Sequence, residues 1–386
     1  MIRTIFLSGL LILGACSKAP DVTKRRPMSF EPIQKPTAFE LLAQDDSRNF
    51  MTLPLVGDAR DQKRFWSGDY WPRKKGSINR RWNAHVRIGF NHRSPTLDEL
   101  RTWTPEKIAE LAPSEKYDLL MGYYDYPLRK EVNQIGASED AEMWEGMVNG
   151  WAVASFRHYE PQAKILTNPD GIQIAFGSED IKGLLAYYYS YHHAPEAAAI
   201  TGRPCQKNNC VEDVTAATFH LALANTIGVK KKSFLMDLDR TRDVWNHPVV
   251  AYEAEYRGNA EIHDKVTPGT HSVIKMKTTV TFIDEALNQT WEPVIGTNNQ
   301  LETKQVYQYW LHLDRDGVVI GGEWKSNERP DYLWTVSDAT QFEGLLNGLQ
   351  NLVNDPDTVI AEEEEVGPVE ETTTTTEETT LPEIIE

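Results

Sequence analysis

Cysteine is scarce: the 386 residues hold three, Cys16, Cys205 and Cys210, too few for a disulfide scaffold or a multi-cysteine zinc fold. Basic charge is short as well. Forty Lys+Arg stand against 57 Asp+Glu, a formal net charge of −17, which argues against a nucleic-acid partner. The N-terminal apolar run, Ile5–Leu13, falls well below the ~20 residues that a membrane-spanning helix requires. No HExxH, no Walker loop and no GxSxG elbow occurs, and no repeat of 20–50 residues is evident. Zinc proteases, P-loop nucleotide hydrolases, α/β-hydrolases and solenoids therefore lack their signatures. What is present is an ordinary globular composition, 40% hydrophobic and 25% charged, with eleven Trp and fifteen Tyr, which excludes disorder throughout, collagen and coiled coil. The negative charge is uneven: Glu362 to Glu386 carries ten Glu and no Lys or Arg, leaving −7 for the rest. Residues 351–386 are accordingly expected to form an acidic, Thr/Glu-rich disordered tail.

The chain opens with MIRTIFLSGLLILGAC: one cation (Arg3), an apolar run, then small residues and a cysteine. That order reads as a secretory signal over residues 1–15. Leu13-Gly14-Ala15-Cys16 resembles the lipobox of bacterial lipoproteins, which implies cleavage before Cys16, acylation of its sulfur and stable membrane attachment through several chains. Ser17 behind it implies the outer membrane of a Gram-negative cell. Residues 16–36, polar and locally basic, would be the tether. In an exported chain, Cys205 and Cys210, five apart across a polar loop, read as a disulfide ahead of a metal site or a nucleophile.

Between these ends the elements are mixed. Thr104-Pro105 has the form of a cap and first position for a helix to Leu111, and helical spacing recurs in Asp140–Tyr159. Period-two alternation runs through Ile274, Met276, Thr278, Val280 and Phe282, and again through Tyr307, Tyr309, Leu311 and Leu313. The second run enters Asp314-Arg315-Asp316-Gly317 and leaves through Val318–Ile320, a hairpin signature. Helices first and antiparallel strands after give an α+β domain over residues 37–350.

For chemistry, the segment from Phe219 to Asp239 places two apolar stretches about a Gly/Lys turn. A hairpin centred on Gly228-Val229 would set His220 opposite Asp237, as a thiol hydrolase or acyltransferase requires. A turn centred on the lysines would instead set His220 opposite Thr241, and a helix from Thr215 to Ile227 ending at Gly228 fits the same residues; these readings stay open. Asp314-x-Asp316-Gly317 has too few acidic positions for a calcium loop, and the adjacent His192-His193 do not share a face. A nucleophile would gain most at a helix start such as Met143–Ser155, but that segment has no cysteine.

Val244-Trp245-Asn246-His247-Pro248-Val249 with Tyr252 resembles the Val-Trp-Asn-x-Pro-Val signature of the transglutaminase elicitor family. Phe65–Pro72, Ser114–Asp118, Phe219-His220, Gly321–Trp324 and Arg329–Trp334 are similar to family landmarks in the same order. The resemblance implies a protein-glutamine γ-glutamyltransferase with a papain-like core, calcium as a cofactor, a cysteine at a helix start and a His/Asp pair. Carried onto this chain, His220 and Asp237 take the acid/base and orienting positions. Trp144, Asn149, Trp151 and Asn246 line the groove, and Val148 takes the nucleophile position. A valine side chain has neither an attacking atom nor a leaving group. The expectation is a lipid-anchored, catalytically impaired member that binds an envelope protein or peptide. The alternatives are an active acyltransferase that brings Cys205 or Cys210 to His220, and a structural envelope lipoprotein.

Overall fold

The structure, a computed structural model, describes residues 46–193, 197–202, 214–238, 245–336 and 341–353. The three cysteines, and with them the signal, lipidation and disulfide expectations, lie outside the described residues. Among the described residues no helix is long and apolar enough to cross a membrane.

The helical half holds α1 (Leu97–Leu100), α2 (Pro105–Ala109), α3 (Pro113–Leu120), α4 (Pro127–Glu131), α5 (Val148–Arg157), α6 (Ser178–Tyr187) and α7 (Ala216–Ala222). The expected start of α2 is there: Thr104 caps Lys107 N and Pro105 occupies the first helical position, where its missing N–H is no loss. Only the second part of Asp140–Tyr159 is helical, as α5. Among the strands, β1 (Val56–Asp58) pairs with β6 (Asn246–Ala260), and β2 (Lys164–Thr167) pairs with β3 (Gln173–Phe176) in a separate ribbon. The main sheet adds β4 (Ala197–Gly202), β5 (Phe234–Asp237), β6 (Asn246–Ala260), β7 (Ser272–Ile283), β8 (Glu302–Leu313), β9 (Val319–Trp324) and β10 (Tyr332–Val336) in the order β4-β10-β5-β6-β7-β8-β9. The fold is α+β.

Both period-two runs became long antiparallel neighbours, with Ile274 opposite Leu311 and Met276 opposite Tyr309. The Asp314–Gly317 turn joins β8 to β9, and Gly317 takes the positive φ (80°) that this turn needs. Packed structure continues through Leu352 and Val353, both buried, so the globule runs into the segment expected to begin the tail.

The sheet has apolar cover on both faces, and β5 displays the division. Leu235 packs in one cluster with Val148, Trp151, Leu184 and Trp334, beneath α5 and α6. Its neighbours Phe234 and Met236 point the other way, into a cluster with Phe219, Tyr252 and Tyr309 beneath α7. Successive strand side chains face opposite sides, so the sheet stands between α5 and α7.

Candidate functional site

Helix α5 is buried nearly all round, from Val148 through Arg157, and its approach to α6 depends on having no side chain at Gly150. A Cβ there would lie 2.1 Å from the Ala186 carbonyl oxygen and 2.3 Å from Ser190 Oγ. The landmark run Phe65–Pro72 wraps the start of this helix. Met147 N donates to Tyr70 O (2.6 Å), Arg73 N to Glu145 O (2.9 Å), and Trp151 Nε1 to Trp66 O (3.2 Å). These bonds set Val148 as the first residue of α5 with no side-chain cap on the helix start. The first-turn N–H groups and partial positive charge of that end would suit an anion or a thiolate, but the side chain offered is aliphatic and 7% exposed.

Next to it, Asn246 at the start of β6 forms a hydrogen-bonded hub. Its Nδ2 donates to Asn149 Oδ1 and to Tyr332 OH, each at 2.9 Å, and its Oδ1 accepts from Trp334 Nε1 at 2.9 Å. Because an indole N–H only donates, this last bond fixes which way the amide points. Asp237 pairs across the strands with Asn246 and accepts from Trp245 N at 3.0 Å. Burial first, and then the Asp237 charge, hold the Tyr332 phenol well above its ordinary pKa. Asn149, Asn246 and Asp237 thus meet beside Val148. Trp151 is fully buried one turn along α5, and Trp144 is half exposed just before it. No histidine belongs to this hydrogen-bonded set.

His220 is elsewhere. Thr215 Oγ1 caps Thr218 N, and the alanine- and leucine-rich run that follows is α7, continued by a wide π-type segment, Leu223–Val229. The hairpin that would have opposed His220 and Asp237 is therefore absent, and the helix reading is the one observed. Good helix formers behind an effective cap outweigh the Gly/Lys turn signal. His220 stacks on Phe50 with centroids 5.8 Å apart, and its Nδ1 meets Tyr309 OH at 2.8 Å. Its Nε2 has no hydrogen-bond partner among the described residues. Burial pushes its pKa down to about 4. The imidazole lies on the α7 side of the sheet, opposite the face that holds Val148 and Asn246. Delivery of Cys205 or Cys210 to this ring would require uncovering it.

The motif stretch beginning at Trp245 is not a surface. Asn246 through Tyr252 are buried in a central strand, and Pro248 sits one residue before the irregularity between Val249 and Ala251, the kind of place where a strand tolerates a missing N–H. Continuing the Val249–Phe282 register two residues outward sets His247 against Asp284.

The transglutaminase elicitor family model matches residues 133–346, more than half of the chain. The chain belongs to the transglutaminase elicitor family. No curated protein matches it. Among solved structures it is similar to the crystal structure of the GP42 transglutaminase from Phytophthora sojae, with a TM-score of 0.58 and 20% identity over 80% of this chain and 92% of that one. At that identity the likeness is one of fold.

Calcium, implied by the family resemblance, takes six to eight oxygen ligands. Among the described residues, the His/Cys/Asp/Glu side chains that gather as a ligand group are His247, Asp284 and Glu285. An imidazole nitrogen in so small a set does not suit calcium. The sequence reading missed this group because its members are 37 residues apart in the chain. The signal available was His247 at the variable position of the family signature, together with two acidic residues at the end of the next apolar run.

Proposed function

We propose that this chain is a non-catalytic member of the transglutaminase elicitor family, held at a bacterial cell envelope, in the outer membrane, through a lipid on Cys16, where it binds a protein or peptide without transferring an acyl group. Val148 carries the reading: it starts α5 at the position that the family resemblance gives to the nucleophile. The residues around it support binding rather than chemistry. Asn149, Asn246, Tyr332 and Trp334 form a closed set of neutral donors and acceptors, and Trp144, about half exposed beside the helix start, offers an apolar ring to a peptide. Thioester chemistry needs a thiolate and a base within hydrogen-bond reach of it. Neither stands in that set.

The test is incorporation of a fluorescent amine into a glutamine-containing acceptor by the wild-type chain, with and without calcium. A signal equal to that of buffer supports the proposal. Turnover that is abolished by alkylating the thiols overturns it and restores the reading of an active acyltransferase that uses another cysteine.

A further inference from the structure

At the ends of β6 and β7, next in sequence to the Asn246 hub, His247, Asp284 and Glu285 each bring one ligand atom to within 4.8 Å of the others. The histidine is 2% exposed. Its Nδ1–H donates to the Ile283 carbonyl at 2.8 Å, which leaves the Nε2 lone pair without a hydrogen-bond partner among the described residues. The ring plane is held by Trp151 edge-on at 5.6 Å and by Phe282 at 5.0 Å between centroids. A buried imidazole that gives one N–H to a backbone carbonyl and keeps its other nitrogen bare is how proteins orient a metal-binding histidine.

The carboxylates are held in the same manner. Asp284 accepts Glu285 N on Oδ1 at 2.9 Å and Thr303 Oγ1 on Oδ2 at 2.6 Å. Glu285 Oε1 is buried with no hydrogen-bond partner among the described residues. The Asp284 and Glu285 carboxylates also stand against each other, and a cation between them would relieve both the bare acceptor and the like-charge contact. We propose that His247, Asp284 and Glu285 form a binding site for a divalent transition-metal cation of the zinc class. An imidazole nitrogen and carboxylate oxygens are ligand types that zinc accepts, and three of them leave a fourth position for water or a partner's group. Bonds of about 2.0–2.2 Å to such an ion require the ligand atoms to draw closer than the 4.8 Å that now bounds them. This inference is independent of how Val148 is read: it concerns other side chains and no acyl transfer.

The experiment titrates the chelator-stripped full-length chain with Zn²⁺ against a chromophoric competitor. Co²⁺ is used in parallel for its visible spectrum, and Ca²⁺ as a third arm. His247→Gln and Glu285→Gln, both close in shape to the originals, are measured alongside, with near-ultraviolet circular dichroism to establish folding. The expected result is a Zn²⁺ site in the wild type that millimolar Ca²⁺ does not displace, weakened at least ~100-fold in each variant, beyond what losing an outer-shell partner does. Zn²⁺ should also raise the wild-type unfolding midpoint and leave that of Glu285→Gln unchanged. If His247→Gln does not fold, Glu285→Gln decides. No Zn²⁺ uptake by the wild type, equal competition by Ca²⁺, or wild-type affinity in the folded variants overturns the proposal.

Discussion

Replacing Asn246 by alanine should destabilise the protein far more than loss of one neutral side chain normally does. The amide is fully buried and makes three bonds of 2.9 Å, to Asn149, Tyr332 and Trp334. Trp334 Nε1–H would lose its Asn246 acceptor within the core, at a cost of ~1–3 kcal/mol. The two bonds from Nδ2 add ~0.5–1.5 kcal/mol each; Asn149, which is partly exposed, can recover its share from water. The sum is ~3 kcal/mol. With a urea slope of about 3 kcal/mol/M, the midpoint falls by ~1 M at unchanged slope. A double-mutant cycle with Trp334→Phe isolates the indole bond, with an expected coupling of ~1–2 kcal/mol. Additive effects of the two substitutions, or a midpoint shift below ~0.3 M, would refute the account of Asn246 as the hub that ties α5 to β6 and β10.

Gly150→Ala should destabilise by at least ~1–3 kcal/mol through overpacking, since its Cβ would fall on the Ala186 carbonyl; an unchanged thermal midpoint would mean that α5 and α6 are not so close. Lys116→Met leaves Asp180 charged and buried without the ammonium now 2.7 Å away, a loss of ~3–5 kcal/mol, measured by urea unfolding at pH 7. His220, with its pKa lowered to about 4 by burial, folds neutral, and protonation favours the unfolded chain. Its contribution is present above pH 6.5 and is lost as pH falls towards 4, about 2 kcal/mol by pH 5; in His220→Gln that part of the acid slope should vanish. Val148→Cys alone should stay near background in amine incorporation, because no imidazole is hydrogen-bonded into the Asn246 set beside it and a thiol without a base forgoes ~10²–10⁴ in rate; robust activity would mean that the His247 ring, packed on Trp151 of α5, serves as that base.

Sequence pattern was informative where local rules suffice. The alternation in β7 and β8, the Asp314–Gly317 turn and the Thr104-Pro105 cap all express short-range geometry, and the structure has each of them. His220 was ambiguous for a physical reason: an alanine- and leucine-rich run beside Gly228 fits a hairpin arm as well as a helix until long-range packing selects one. Once α7 forms, the ring is directed to Phe50 and Tyr309 rather than to Asp237, and only the pairing of β5 with β6 reveals that the sheet intervenes. Asn149 and Asn246, two residues that the resemblance gives to the groove, meet through the α5–β6 contact, although nothing in their spacing encodes a hydrogen bond across 97 residues. His247 with Asp284 and Glu285 required the strand register as well as composition.

The central claim concerns the chain's inability to hold an acyl group. The most direct measurement is intact mass spectrometry of the wild-type protein after incubation with a glutamine-containing peptide and calcium, quenched in acid to preserve thioesters. The account predicts the unmodified mass at every time point. A covalent peptide adduct on any cysteine, released by an added amine, would contradict it.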